Sequence, residues 1–159
     1  VIQEVLSGKT IALISDAGTP GISDPGYLLV HEALKEGVKV ECLPGPTALI
    51  PALVQSGLPS DRFVFEGFLP PKKGRQGRLK QMAEESRTTV FYESPHKIVK
   101  TLGQMLPYFG SERKLAVVRE LSKKFESNFR GSVEEALHFF EEHPPKGEFV
   151  IVVEGTKNK

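Results

Sequence analysis

The chain has 159 residues with 21 Lys and Arg against 20 Asp and Glu, a net charge of +1, 39% hydrophobic residues, one Cys and no Trp. That composition suits one full domain or two small ones of the usual ~100–150 residues, and it excludes a collagen, a coiled coil, a disordered tail and a disulfide scaffold. No apolar run approaches the ~18–20 residues that cross a bilayer, no charged-then-apolar leader precedes the first strand, and the lone Cys42 permits neither an internal disulfide nor a cysteine-based zinc site. The expectation is a soluble, cytoplasmic protein.

Residues 1–7 pattern as the end of a helix stopped by Gly8. Ile11-Ala12-Leu13-Ile14 predicts a strand covered on both faces, followed at once by Ser15-Asp16-Ala17-Gly18-Thr19-Pro20-Gly21-Ile22-Ser23-Asp24-Pro25-Gly26. In an open α/β sheet, ligands bind where such a loop leaves the carboxyl end of a strand. Glycines let the backbone approach a ligand, and Asp or Thr bonds to ribose, amino or carboxylate groups. The competing reading is a plain strand-to-helix connection with Ser23 or Asp24 as N-cap and Pro25 opening the helix. The loop is neither GxGxxG nor a P-loop. A helix is predicted over 26–36 and a strand over 38–43. Leu43-Pro44-Gly45-Pro46-Thr47-Ala48-Leu49 then repeats the strand-end position of the first loop, with Thr47 also a candidate cap for a helix over 47–56.

Turn residues 57–61 coincide with a change of surface. Residues 1–60 carry three Lys and no Arg against six acids, and 61–159 carry eighteen bases against fourteen acids. A domain boundary is therefore expected between 60 and 61. Strands are predicted at 63–65, 88–92, 115–118 and 149–153, and helices at 76–86, 96–107 and 132–142, where Ser132 and Glu135 have capping-box spacing. Strands alternating with helices indicate an α/β fold with a largely parallel sheet. Between the first and second of these strands, residues 66–80 combine Gly67, Gly74 and Gly77 with Lys72, Lys73, Arg75, Arg78 and Lys80, a cluster suited either to a solvated face or to nucleic-acid phosphates. Phe68 is placed either to stack on a base or to pack inward. Later strand-end groups are Tyr92-Glu93-Ser94-Pro95-His96 and Val118-Arg119-Glu120. The histidines lack metal-ligand spacing, and no metal site is expected.

SDAGTPGISDPG at 15–26, LPGPTALIPAL at 43–53, GLPSDRFVFEGFLP at 57–70, FYESPHKI at 91–98, RELSKKFE at 119–126 and GEFVIVVEG at 147–155 stand in the order found in the ribosomal RNA small subunit methyltransferase I family. Six ordered motifs over nearly the whole chain resemble this bacterial branch of the tetrapyrrole methylase superfamily. The resemblance implies two α/β domains with S-adenosylmethionine in the cleft between them, 2′-O-methylation of a cytidine in the decoding region of 16S rRNA, contact with that RNA or the small ribosomal subunit, and a homodimer. It implies cofactor contacts at Asp16, Gly18, Thr19, Ile22, Thr47, Ala48, Tyr92, Glu93, Val118 and Arg119. Thr19 stands where other superfamily members have an acid.

For activating the ribose hydroxyl, the candidates are Glu93, Glu120 and Asp16, in that order. RNA contacts are expected at Lys72, Lys73, Arg75, Arg78 and Lys80. Family motifs resembling PTPIGNLxDIT and EDTR do not occur here. With Val1 in place of Met, their absence makes residues 1–60 read as the later part of an N-terminal domain and 61–159 as a C-terminal domain. Two other readings stay open: a tetrapyrrole or corrin methylase, and a non-catalytic RNA-binding or dimerisation module.

Overall fold

The structure is a computed structural model that describes residues 1–156. It divides into two compact units, Val1–Thr47 and Ala48–Lys159. The first holds helices α1 (Ile2–Leu6) and α2 (Tyr27–Lys35). The second holds α3 (Leu49–Ser56), β1 (Phe63–Phe68), α4 (Arg75–Glu84), β2 (Thr88–Glu93), α5 (Ile98–Phe109), β3 (Lys114–Arg119), β4 (Ser127–Ser132), α6 (Val133–Glu142) and β5 (Phe149–Val153). Helix α3 lies with the second unit, so the turn at 57–61 falls inside that unit.

The strands expected at 11–14 and 38–43 do not form. Both segments find no ladder partner among the described residues, and a strand exists only where its N–H and C=O groups pair with a neighbour. Their apolar side chains are accordingly exposed, Ile14 to 83% and Leu43 to 80%.

The second unit is a three-layer sandwich about one sheet of order β1-β2-β5-β3-β4. β1 pairs parallel with β2, while β5 runs antiparallel to both β2 and β3, and β4 antiparallel to β3. The sheet is thus mixed rather than largely parallel. The loop 120–126 returns the chain from β3 into β4, and β5 enters between β2 and β3, antiparallel to both.

Side chains alternate across a strand. Phe91, Leu115, Val117, Phe149, Ile151 and Val153 face α4, α5 and α6, and Val90, Ala116, Val118, Val150 and Val152 face α3. Every residue of β5 is buried, as its unbroken apolar run predicts. Strand β4 went unread because Ser127-Asn128-Phe129-Arg130-Gly131-Ser132 carries one large apolar residue, which suffices at the edge of a sheet. Helix α5 presents Ile98, Leu102, Met105 and Phe109 at helical spacing to the same core as Leu79 of α4 and Val133, Ala136 and Phe140 of α6.

Helix α6 opens with the expected capping box. Ser132 Oγ accepts the Glu135 N–H at 3.2 Å, and the Glu135 carboxylate accepts the Ser132 N–H at 2.6 Å. Replacing Ser132 by Ala should lower the unfolding free energy by about 1 kcal/mol, seen as a lower urea midpoint at unchanged slope. The backbone N–H of Ser132 holds the Glu135 carboxyl below its ordinary value. Its contribution is therefore complete above the unfolded-state pKa and fades as pH falls through the depressed folded value. The gap between wild type and Glu135→Gln should narrow on acidification.

Candidate functional site

In the first unit the two Gly/Pro-rich loops touch. Thr19 Oγ1 donates to the Pro46 carbonyl at 3.0 Å, and Ser15 Oγ donates to the Gly18 carbonyl at 2.9 Å. A Cβ on Gly18 would sit 3.5 Å from that same Pro46 oxygen, and one on Gly45 3.4 Å from Thr19 Oγ1, so glycine at both positions permits the close approach. Gly18 also holds φ 76°, and Ser23 adopts a left-handed φ of 59° without being glycine. The capping roles do not materialise. Gly26 is the N-cap of α2 and Ala48 that of α3, neither helix receiving a side-chain cap, so Ser23, Asp24 and Thr47 are not needed as caps. Asp16 is exposed and makes no bond among the described residues, and Ile22 of the same loop is exposed too. A free carboxylate, open peptide groups and an apolar side chain together suit a small molecule that is polar at one end and apolar at the other.

In the second unit β1, β2 and β3 run in one direction, so their carboxyl ends share one rim with the amino ends of β4 and β5. Tyr92 and Val118 flank Val150 in one row, while Glu93 and Arg119 flank Phe149 in the next. Consecutive strand residues point to opposite faces. Tyr92 therefore lies on the α3 face, against Phe65 and Phe68, and Glu93 lies on the face of α4 and α5.

There Glu93, 4% exposed, meets the equally buried Arg75 of α4. Arg75 Nη2 donates to Glu93 Oε2 at 3.1 Å, Nε to Gln104 Oε1 at 2.8 Å, and Nη1 to the Pro70 carbonyl at 3.2 Å. The Thr101 hydroxyl accepts from Arg75 and donates to Glu93 at 2.6 Å, and the second carboxylate oxygen accepts the Ser94 N–H at 2.8 Å. Both charges are spent inside the protein. Each nitrogen of Arg75 has an acceptor inside the protein, each oxygen of Glu93 has a donor, and both side chains are buried. The expected RNA role of Arg75 and base role of Glu93 give way to a structural one.

Glu120 is committed as well. Its Oε1 accepts the Glu148 N–H at 2.8 Å and Lys123 Nζ at 3.2 Å, while Lys123 also reaches Glu148 at 2.8 Å. The Glu148 N–H, then Lys123, pull the Glu120 carboxyl below its usual range, and the two carboxylates raise the Lys123 ammonium. Arg119 Nε donates to the Lys146 carbonyl at 2.6 Å, and Val118 is buried under α3. Of the three carboxylates expected to act on a ribose hydroxyl, Asp16 alone is unpaired.

The basic loop remains open. Lys72, Lys73 and Lys80 are exposed and unpaired among the described residues, and Arg78 meets Glu66 at 3.2 Å while half exposed. Lys72 and Lys100 flank a depression of about 440 Å³ over Arg75 and Gln104. A bulge at Glu66-Gly67, with Gly67 at φ 61°, shifts the register of β1 and brings Phe68 edge-on to Tyr92 at 5.4 Å, yet leaves Phe68 58% exposed.

The rim carries more positive charge than this loop alone. Segments 69–74, 94–97, 120–126 and 143–148 hold six lysines against three acids, whereas 57–62, 85–87, 110–113 and 154–156 at the opposite end hold three arginines against four acids. Among the described residues no group of three or more His, Cys, Asp or Glu is arranged to hold a metal, and no helix is long and apolar enough to cross a membrane.

Residues 1–137 match the pattern of the tetrapyrrole (corrin/porphyrin) methylases. The chain belongs to that family. Its methylase relatives include the ribosomal RNA small subunit methyltransferase I of Synechocystis sp., 48% identical over 157 residues that make up 98% of this chain and 56% of the relative. The protein of that name in Thermotoga maritima is 45% identical over 98% of this chain and 72% of its own length. The chain spans a little over half the length of most of the curated relatives it matches.

Solved methylases share the fold. The methyltransferase CobJ superposes with TM-score 0.66 at 18% identity over 99% of this chain and 70% of that one. Uroporphyrin-III C-methyltransferase of Thermus thermophilus, solved with S-adenosyl homocysteine, gives 0.59 at 21% over 86% and 62%.

Sequence reading missed Thr101 and Gln104, the partners that bury Arg75. A Thr and a Gln inside an amphipathic helix carry no signal until α4 is laid against α5. Removing one charge of the pair strands the other. Glu93→Gln should destabilise the protein by about 3 kcal/mol, and Arg75→Met combined with Glu93→Met should recover much of that loss. Urea unfolding of the three variants measures both.

Proposed function

We propose that the protein transfers a methyl group from S-adenosylmethionine to the 2′-oxygen of a cytidine ribose in the decoding region of 16S rRNA. What supports this reading most is the 45% identity, across 98% of the chain, to a ribosomal RNA small subunit methyltransferase I of which the chain covers 72%. The likeness to corrin and porphyrin methylases stays at 15–21% identity and speaks for the fold only.

The loops at 15–26 and 44–47 fit the cofactor. Glycine at 18 and 45 keeps the backbone accessible, and Ile22 offers apolar surface. Gly18, Thr19, Ile22 and Thr47 hold it from this unit, and the family resemblance adds Ala48, Tyr92 and Arg119, whereas the Val118 side chain is buried under α3. When bound, S-adenosylmethionine supplies an electrophilic methyl on a sulfonium.

The chain's part is to fix the ribose in line with that methyl and to take up the hydroxyl proton. Asp16, exposed and unpaired, is the residue we assign to the proton. Lys72, Lys73, Arg78 and Lys80 hold the RNA backbone without reading sequence. A homodimer, as the resemblance implies, belongs to the same reading and is checked by the mass in solution.

Single-turnover methylation of small ribosomal subunits tests the assignment. Asp16→Asn should slow the step by about 10²–10⁴-fold while Glu120→Gln retains most of the rate. An Asp16→Asn enzyme as fast as wild type removes Asp16 from the chemistry. Replacing Lys72 and Lys73 by Ala should weaken RNA binding and flatten its salt dependence, with log K against log salt losing about 0.7 per phosphate contact to a single strand.

A further inference from the structure

Two aromatic side chains of the second unit stand on the basic rim and out in solvent: Phe68, at the end of β1, and Phe125, 63% exposed, in the loop that follows β3. The Phe125 loop is held rigidly. Glu120 and Ser122 sit in left-handed backbone at φ 50° and 61°, a conformation that non-glycine residues adopt only where surrounding bonds impose it.

Those bonds are present. The Glu120 N–H donates to the Glu148 carbonyl at 2.9 Å, the Glu120 side chain clasps Lys123 and the Glu148 N–H, and the Glu126 carboxylate accepts the Ser122 N–H at 2.6 Å and Gln55 of α3 at 3.1 Å. Lys123 is consumed by this framework. Lys124 is not, and its ammonium lies 5.5 Å from the Phe125 ring centroid, with Lys146 on the neighbouring segment exposed.

A rigid loop that spends its acids on its own backbone, and presents one ring and one unpaired cation, suits an unpaired nucleotide: the ring takes a base face and the ammonium a phosphate. Leu121 and Glu126 anchor the loop on the α3 side of the sheet, the side on which Phe68 packs over Tyr92. β1 and β3 are three strand steps apart, which separates the two platforms across the sheet by about 14 Å.

We propose that residues 120–126 form a second RNA contact, in which Phe125 stacks on an unpaired base and Lys124 meets the adjoining phosphate, so that a single strand runs along the rim from the Phe68 loop to the Phe125 loop. This rests on the reading of RNA as substrate.

The test uses the protein expressed from its full reading frame, a fluorescein-labelled single-stranded RNA, the same RNA as a duplex, and anisotropy at several salt concentrations. Phe125→Ala should weaken single-strand binding about tenfold with an unchanged salt slope and little change for duplex. Phe125→Trp should restore it. Lys124→Ala should lower the salt slope by about 0.7, and Arg62→Ala, at the opposite end of the sheet, should change nothing. Both side chains are exposed, so urea midpoints should match wild type. Wild-type affinity in Phe125→Ala, with loss in Lys72→Ala/Lys73→Ala, overturns the second contact and leaves the RNA reading standing. An equal loss for single strand and duplex in Phe125→Ala overturns the stacking role. Full affinity in every variant overturns both.

Discussion

A guanidinium taken out of water must find its counter-charge and its hydrogen-bond acceptors inside the protein, and Arg75 finds them on three different elements. Its donors reach Pro70 in the loop after β1, Glu93 at the end of β2, and Thr101 and Gln104 on α5. Among the described residues no other side chain of the second unit bonds to so many segments at the carboxyl end of the sheet. The apolar core decides that α4 and α5 cover this face, since Leu79, Met82, Ile98, Leu102 and Met105 are buried whatever the charges do. The ion pair decides where the helices stop sliding. With it in place the start of α4 is pinned beneath the basic loop, and Lys72, Lys73 and Lys80 project from a fixed base rather than from a wandering segment.

The same pair explains why composition misleads at this site. In sequence, Arg75 is one of five bases between 72 and 80, and Glu93 is an acid at a strand end, the place where catalytic groups gather. Nothing local separates Arg75 from Lys73 or Arg78. The separation is made by the helix: Arg75 shares its inward face with Leu79 and Met82, at i+4 and i+7, whereas the lysines do not. Helical spacing from a core leucine therefore carried the information, and the charge count hid it. The strand parity of Glu93 was equally available, because Phe91 and Glu93 alternate with Val90 and Tyr92, but which parity faces which helix layer is settled only when α3 takes the other side.

Much of the second unit was legible for a plain reason. Its strands β1, β2, β3 and β5 are apolar and β-branched or aromatic, its helices repeat at helical spacing, and its capping box is written in two residues. The first unit resisted reading for an equally plain one. Residues 11–14 and 38–43 have strand composition, but a strand is a relation between segments, and hydrophobicity cannot supply the partner whose backbone completes the ladder. What survives there is loop chemistry. Ser15, Gly18, Thr19, Gly45 and Pro46 come together through side-chain and backbone contacts that need no sheet, which is why the two loops meet although the strands expected before them do not form.

Charge at the rim follows from how these loops are stabilised. A loop can hold its shape with apolar packing, with left-handed glycines, or with carboxylates that accept its N–H groups. The 120–126 loop uses the last, drawing Glu120 and Glu126 inward onto backbone N–H groups and onto Lys123 and Gln55. An acid that accepts its own loop's N–H groups stays ionised but is held in a fixed place by the backbone rather than swinging out toward solvent. The lysines that no carboxylate claims are left to set the outward field. Sequence counts treat Glu120, Lys123 and Lys124 alike as surface charges, whereas the fold divides them: Glu120 and Lys123 pair with each other, and Lys124 is left without a carboxylate. Three acids, Glu120, Glu126 and Glu148, stand beside six lysines on this rim, so the lysines that no carboxylate claims, Lys124 among them, set the sign of the field there.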